Sequence, residues 1–195
     1  MLNIVVAWMA EARPLVEHFR LKPMSKKYGF RIFRNAEMNL VVTGQGRAAC
    51  SAGCAWLQAV VAPDAGQPWL NVGIAGHRQM AIGSVVLAEQ VVDAATGKYW
   101  RLPFTIDGIS SAGLLTVPVP DTSYRRREVV EMEASGFVEV VLRFTDRENI
   151  ACLKVISDNA DNPTDAFEPA QATRLIEANL DALEQVIEKL EWQNA

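Results

Sequence analysis

Residues 1–195 are expected to form a single-domain α/β fold: three α/β/α layers around a central mixed, mostly parallel twisted sheet. Two observations predict it. Apolar runs of strand length alternate with segments of helical periodicity, and several runs are continuously apolar, as in strands covered on both faces. No linker, internal repeat or low-complexity stretch divides the chain, and its length suits one hydrophobic core.

Residues 2–8 form the first such strand. Residues 11–20 follow with Leu15, Val16 and Phe19 at helical spacing, and Pro14 sits where a first turn tolerates it. Tyr28 to Arg34 and Met38 to Val42 read as two strands joined by the turn-prone Asn35-Ala36-Glu37. Thr43-Gly44-Gln45-Gly46-Arg47 breaks the pattern, and a helix of small residues runs from about Ala48 to Val60. Trp69 to Val72 is a strand ending in Gly73-Ile74-Ala75-Gly76, and Val85 to Val92 is another. Residues 93–124 are turn-rich and show no clear period. Val129 to Leu142 has helix-like content around Glu131-Met132-Glu133-Ala134. Cys152 to Ile156 is a strand, followed by a polar loop from Ser157 to Pro163. One amphipathic helix is expected from about Ala170 to Trp192.

Composition removes several function classes. Half of the residues are apolar and 22% are charged, which is a globular balance. A net charge of −4 offers no electrostatic footprint for nucleic acid, and Arg125-Arg126-Arg127 is short enough to be a solvated loop. The first residues lack the charged region of a signal peptide, and no apolar run has the 18 or so residues of a membrane span, so no membrane partner is expected. Cys50 and Cys54 share a helix face without a second ligand pair, so no metal site is expected; with Cys152 they read as buried thiols of a cytoplasmic protein.

In open α/β sheets ligands gather beyond the carboxyl ends of the strands. Glu11 follows the first strand there, and Asp158 with Asp161 follows the last. Glu133 lies in the apolar stretch Val129 to Val141, where a carboxylate is costly without partners. Such acids are the raw material of general acid–base chemistry, although helix capping and solvation would explain each one singly. The run Thr43 to Arg47 resembles an anion cradle at a helix start, yet it is neither Gly-x-Gly-x-x-Gly nor a triphosphate loop, and close helix packing explains its glycines equally well.

Taken in order, Ala7-Trp8-Met9-Ala10-Glu11-Ala12, Thr43-Gly44-Gln45-Gly46-Arg47-Ala48-Ala49, Asn71-Val72-Gly73-Ile74-Ala75-Gly76, Val130-Glu131-Met132-Glu133-Ala134 and Val155-Ile156-Ser157-Asp158-Asn159-Ala160-Asp161 resemble the nucleoside phosphorylase/nucleosidase superfamily, bacterial methylthioadenosine/S-adenosylhomocysteine nucleosidases above all. The resemblance spans nearly the whole chain, with Glu-Met-Glu-Ala and Ile-Ser-Asp-x-Ala-Asp its most specific parts. It implies hydrolysis of the N-glycosidic bond of a purine nucleoside such as methylthioadenosine or S-adenosylhomocysteine, with no cofactor, by a homodimer. By position it implies that Glu11 activates the attacking water and Asp158 protonates purine N7. It also places Glu133 on the ribose hydroxyls, Met132 against the sugar, and Ile74 and Ser157 among the substrate-binding residues. The physical logic agrees, since breaking the bond builds positive charge on the ribose and negative charge on the departing base.

Departures from the family pattern matter too. Superfamily phosphorylases bind phosphate with arginine and hydroxyl side chains, some in the segment matching Asn71 to Gly76; Asn71 and Ile74 supply neither, and only Arg47 remains as a possible anion contact. Water is therefore the expected nucleophile. Nucleosidases more often keep a small polar residue where Ile74 stands. The segment matching the base-binding loop reads Leu115-Thr116-Val117-Pro118-Val119-Pro120-Asp121, and its two prolines lack N–H donors. Phosphorolysis and a nucleoside-binding relative without turnover stay open as alternatives.

Overall fold

The computed structural model describes residues 1–24, 29–61, 66–164 and 168–192. Strand β1 (Leu2–Val6) is buried throughout and lies parallel between β4 (Met38–Val42) and β5 (Trp69–Gly76). An antiparallel hairpin joins β3 (Arg31–Arg34) to β4, and the two-residue β2 (Lys22–Pro23) forms the sheet edge, where proline does no harm. Asn35 makes the hairpin turn: its side-chain oxygen accepts from the amides of Glu37 and Met38. Tyr28, expected at the start of β3, lies outside the described residues.

The other half of the sheet curls on itself. β10 (Ile150–Asp158) runs parallel to β5 and antiparallel to β6 (Val85–Asp93). β6 pairs with β7 (Tyr99–Arg101) and β8 (Ser110–Thr116), and β9 (Val129–Glu131) links β8 back to β5 with Val130 opposite Gly76. β5, β10, β6, β8 and β9 thus close a ring within the mixed sheet. The long ladders are the parallel ones. β7 and β8 come from the stretch 93–124, which has no clear sequence period because its strands are short or only partly buried.

Helices cover both faces. α2 (Arg47–Val61) and α3 (Ala134–Val141) pack one core around Cys50, Cys54, Leu57, Phe137 and Val141. α1 (Met9–His18), α4 (Pro169–Glu177) and α5 (Leu180–Trp192) enclose the other around Leu15, Ile176, Leu183 and Leu190. Two expectations change. The single C-terminal helix is broken between α4 and α5, where the Asn179 side-chain Nδ2 donates to the Leu175 carbonyl and competes with the helix ladder. Glu131-Met132-Glu133 is not helical: Glu131 ends β9, and its Oε2 accepts from the amides of Glu133 (2.9 Å) and Ala134 (2.7 Å), which starts α3 only after it. No helix among the described residues is long and apolar enough to cross a membrane.

Candidate active site

Glu11 sits in the first turn of α1, directly beyond β1, and is 2% exposed. Its Oε2 accepts from the amides of Ala7 (3.1 Å) and Trp8 (2.8 Å), the half of a capping box that a glutamate supplies. Its Oε1 accepts from the amide of Ile74 on β5 at 3.1 Å. Burial pushes its pKa up, while the Trp8 amide and the Lys154 charge pull the other way. The capping role and the site role therefore coexist in one side chain.

Glu133 enters from the turn between β9 and α3. Its Oε1 accepts from the Gly46 amide at 2.7 Å, immediately before α2. The glycine run that resembles a phosphate cradle is thus occupied by the protein's own carboxylate, which meets the positive end of the helix. Burial raises the Glu133 pKa to about 7, a rise that Lys154 moderates and Glu131 reinforces. Met132 faces the same space, and its sulfur lies 3.0 Å from the Gln45 side-chain amide.

Asp158 ends β10. Ile156 pairs with Ala75 but Asp158 pairs with Gly76, so Ser157 is the extra residue of a bulge that re-aims the strand end. The Ser157 hydroxyl donates to Asp158 Oδ1 at 2.6 Å. A Cβ on residue 76 would fall 2.6 Å from Asp158 Oδ2, so glycine there admits the carboxylate.

Behind these acids lies Lys154, 1% exposed, with its Nζ 3.1 Å from Glu131 Oε2. Burial alone would lower its pKa, but Glu131, Glu133, Cys152 and Glu11 together raise it above the ordinary lysine value, so it is a cation. It also reaches toward Glu11: a Cβ on Gly73 would lie 3.0 Å from Glu11 Oε1 and 3.5 Å from Lys154 Nζ.

Glu11, Ile74, Met132, Glu133, Ser157 and Asp158 all line one cavity of about 170 Å³, at the carboxyl ends of β1, β5 and β10. Glu131, Asp121 and Glu168 add further carboxylates, and no Arg, Lys or His is among the described lining residues. Two candidates fall elsewhere. Asp161 is exposed outside the cavity. Arg47 turns to Asp93 (Nε to Oδ2 2.8 Å) and to Glu139, so it is spent on ion pairs away from the site. Arg125, Arg126 and Arg127 are exposed, as a solvated loop requires. Of the base-loop segment, Val117, Pro120 and Asp121 do reach the cavity. Sequence position sets Lys154 near Asp158, within the largely apolar run of β10, whereas the structure pairs it with Glu131. Among the described residues no group of three or more His, Cys, Asp or Glu could hold a metal ion.

No protein-family model and no curated protein matches the chain. Solved structures do. Arabidopsis thaliana 5'-methylthioadenosine nucleosidase in its apo form superposes with a TM-score of 0.81 at 19% identity, over 97% of this chain and 95% of that one. The 5'-methylthioadenosine/S-adenosylhomocysteine nucleosidase of Helicobacter pylori, with butyl-thio-DADMe-Immucillin-A, gives 0.76 at 15% identity, over 96% of this chain and 97% of that one. Native futalosine hydrolase of Helicobacter pylori gives the same score, identity and coverage. The chain has the fold these enzymes share.

Proposed function

We propose that this protein hydrolyses the N-glycosidic bond of a purine nucleoside, with a 5'-substituted adenine nucleoside such as methylthioadenosine or S-adenosylhomocysteine as substrate. The observation that carries the reading is the convergence of Glu11, Glu133 and Asp158, from three separate segments, on one cavity. The fold shared with nucleosidases agrees with it. In this reading Glu133 accepts hydrogen bonds from the ribose hydroxyls and Met132 packs against the sugar. As the C1'–N9 bond breaks, its electron pair goes to the purine, whose N7 takes a proton from Asp158. Water forms the new bond to C1', and Glu11 takes the proton that the water loses. Ser157 orients Asp158, and the Ile74 amide orients Glu11. Water rather than phosphate is the nucleophile, because a lining rich in carboxylates and, among the described residues, without a basic side chain repels an anion.

A futalosine-type nucleoside is a second substrate reading, favoured by the equal likeness to futalosine hydrolase. The protein acts as a homodimer in the cytoplasm; buried free Cys50, Cys54 and Cys152 suit a reducing compartment. Incubation of the purified protein with a panel of nucleosides, with and without phosphate, tests the proposal. Release of free base without phosphate is the expected result. Dependence on phosphate would make it a phosphorylase, and binding without release a nucleoside-binding protein.

A further inference from the structure

α1 begins at Met9, so Pro14 lies inside the helix and not in the first turn expected from the sequence, and it removes one rung. It has no N–H to offer the carbonyl of Ala10, four residues back, and a proline ring inside a helix crowds that carbonyl. Thr173 of α4 meets this carbonyl: its Oγ1 lies 2.9 Å from Ala10 O, and 3.1 Å from Pro169 O in its own helix. Two residues earlier on the same helix, Gln171 Nε2 donates to Ser157 O at 3.0 Å. These carbonyls share a property. Ala10 C=O belongs to the peptide plane that continues into Glu11, and Ser157 C=O to the plane that continues into Asp158. α4 therefore grips, by side-chain hydrogen bonds, the peptide immediately before each candidate acid. Its own place is set by burial of Ala172 and by Ile176, which packs into the core that holds α1.

We propose that α4 is a positioning brace for the two acids, with Thr173 holding the loosened turn that carries Glu11 and Gln171 holding the bulged strand end that carries Asp158. The inference rests on the nucleosidase reading for what the acids do, but not for the placement itself. Both acids sit on backbone that is weakened locally, one by a proline and the other by a bulge. An external support then sets their reach into the cavity. Neither Thr173 nor the Ala10 carbonyl needs to touch substrate.

Thr173 is the cleaner test, since Gln171 also lines the cavity. Thr173→Val keeps shape and removes the donor; Thr173→Ser keeps the donor. The brace predicts a kcat about three- to tenfold lower in the Val variant, with KM within about twofold of the parent, and near-parental kcat in the Ser variant. The loss should vanish when Glu11 is already Gln, because the effect acts through Glu11. Amide hydrogen exchange gives a readout independent of activity: the Ala7, Trp8 and Ile74 amides, all bonded to Glu11, should exchange faster in the Val variant while β4 amides keep parental rates. Parental kcat and exchange in Thr173→Val, equal losses in Val and Ser, or an undiminished loss in the Glu11→Gln background would each overturn the brace. A parent that releases no base would sink the hydrolase reading instead, and exchange alone would then decide whether the brace exists.

Discussion

Lys154 and Glu131 form an ion pair, Nζ to Oε2 3.1 Å, in which both side chains are shut away from solvent. The same Glu131 oxygen starts α3, and its other oxygen accepts from the Thr116 hydroxyl. A carboxylate so heavily engaged is scaffold rather than a spare base. Its partner, Lys154, is a buried lysine set also against Glu133 and Glu11.

Lys154→Met should therefore do more than remove a contact. Leaving Glu131 buried without its counter-charge costs about 3–5 kcal/mol. Lys154 also pulls down the pKa of both Glu11 and Glu133, so both should rise further in the variant. Denaturant melts read the first effect, and an acid limb of the pH–rate profile displaced to higher pH reads the second. An undisplaced limb would show that Lys154 does not tune the acids.

Glu133→Gln should leave the fold intact and weaken substrate binding about 10- to 100-fold, as charge-assisted bonds to ribose hydroxyls become neutral ones. Substrate affinity equal to the parent's would remove Glu133 from the ribose site.

The Glu133 carboxyl also imposes a pH dependence with a definite sign. Its folded pKa, about 7, lies above the ordinary 4.5, so the folded state holds a proton that the unfolded state has lost. Stability from this group is greatest below about pH 4.5, falls as pH rises through about 7, and is level beyond. Urea midpoints between pH 5 and 8 should thus fall less steeply in Glu133→Gln than in the parent. Substrate binding should follow the opposite trend, because the ionised carboxylate is the better acceptor, so KM should drop as pH rises through about 7.

Glu11→Gln removes the proposed base and should lower kcat by about 10²–10⁴ while binding of product purine survives. Turnover near the parental rate would move the base elsewhere. Gln can still accept from the Ile74 amide, so a loss of stability alone would point to the helix cap rather than to chemistry.

Asp158→Asn should change stability little, since an amide oxygen can still accept from Ser157, yet turnover should fall at least about 10²-fold without a proton to give. A fully active Asn variant would leave Asp158 as a strand-end residue and withdraw the main support for glycosidic cleavage.

The apolar runs 2–8, 38–42 and 152–156 declare themselves as strands without a structure, because a run apolar on both faces has few other stable destinations; the observed strands are Leu2–Val6, Met38–Val42 and Ile150–Asp158. Glu11, Glu133 and Asp158 are equally visible, as acids at strand ends or in apolar surroundings, and the cavity gathers all three. Periodicity is silent where packing chooses between local options. Glu131-Met132-Glu133 carries helix formers, yet it stays outside α3 because Glu131 spends its carboxylate on the first amides of that helix. Residues 170–192 keep one apolar period, yet Asn179 breaks the helix by bonding backward to Leu175. Arg47 beside a glycine loop suggests an anion site, but the loop meets Glu133 from 87 residues away, and the arginine turns to Asp93 and Glu139. Local sequence determined the strands and the acids, because burial and backbone geometry act over a few residues. Which charges meet, and so which acids are free to react, was decided only when β9 closed the ring onto β5 and brought Glu131 to Lys154.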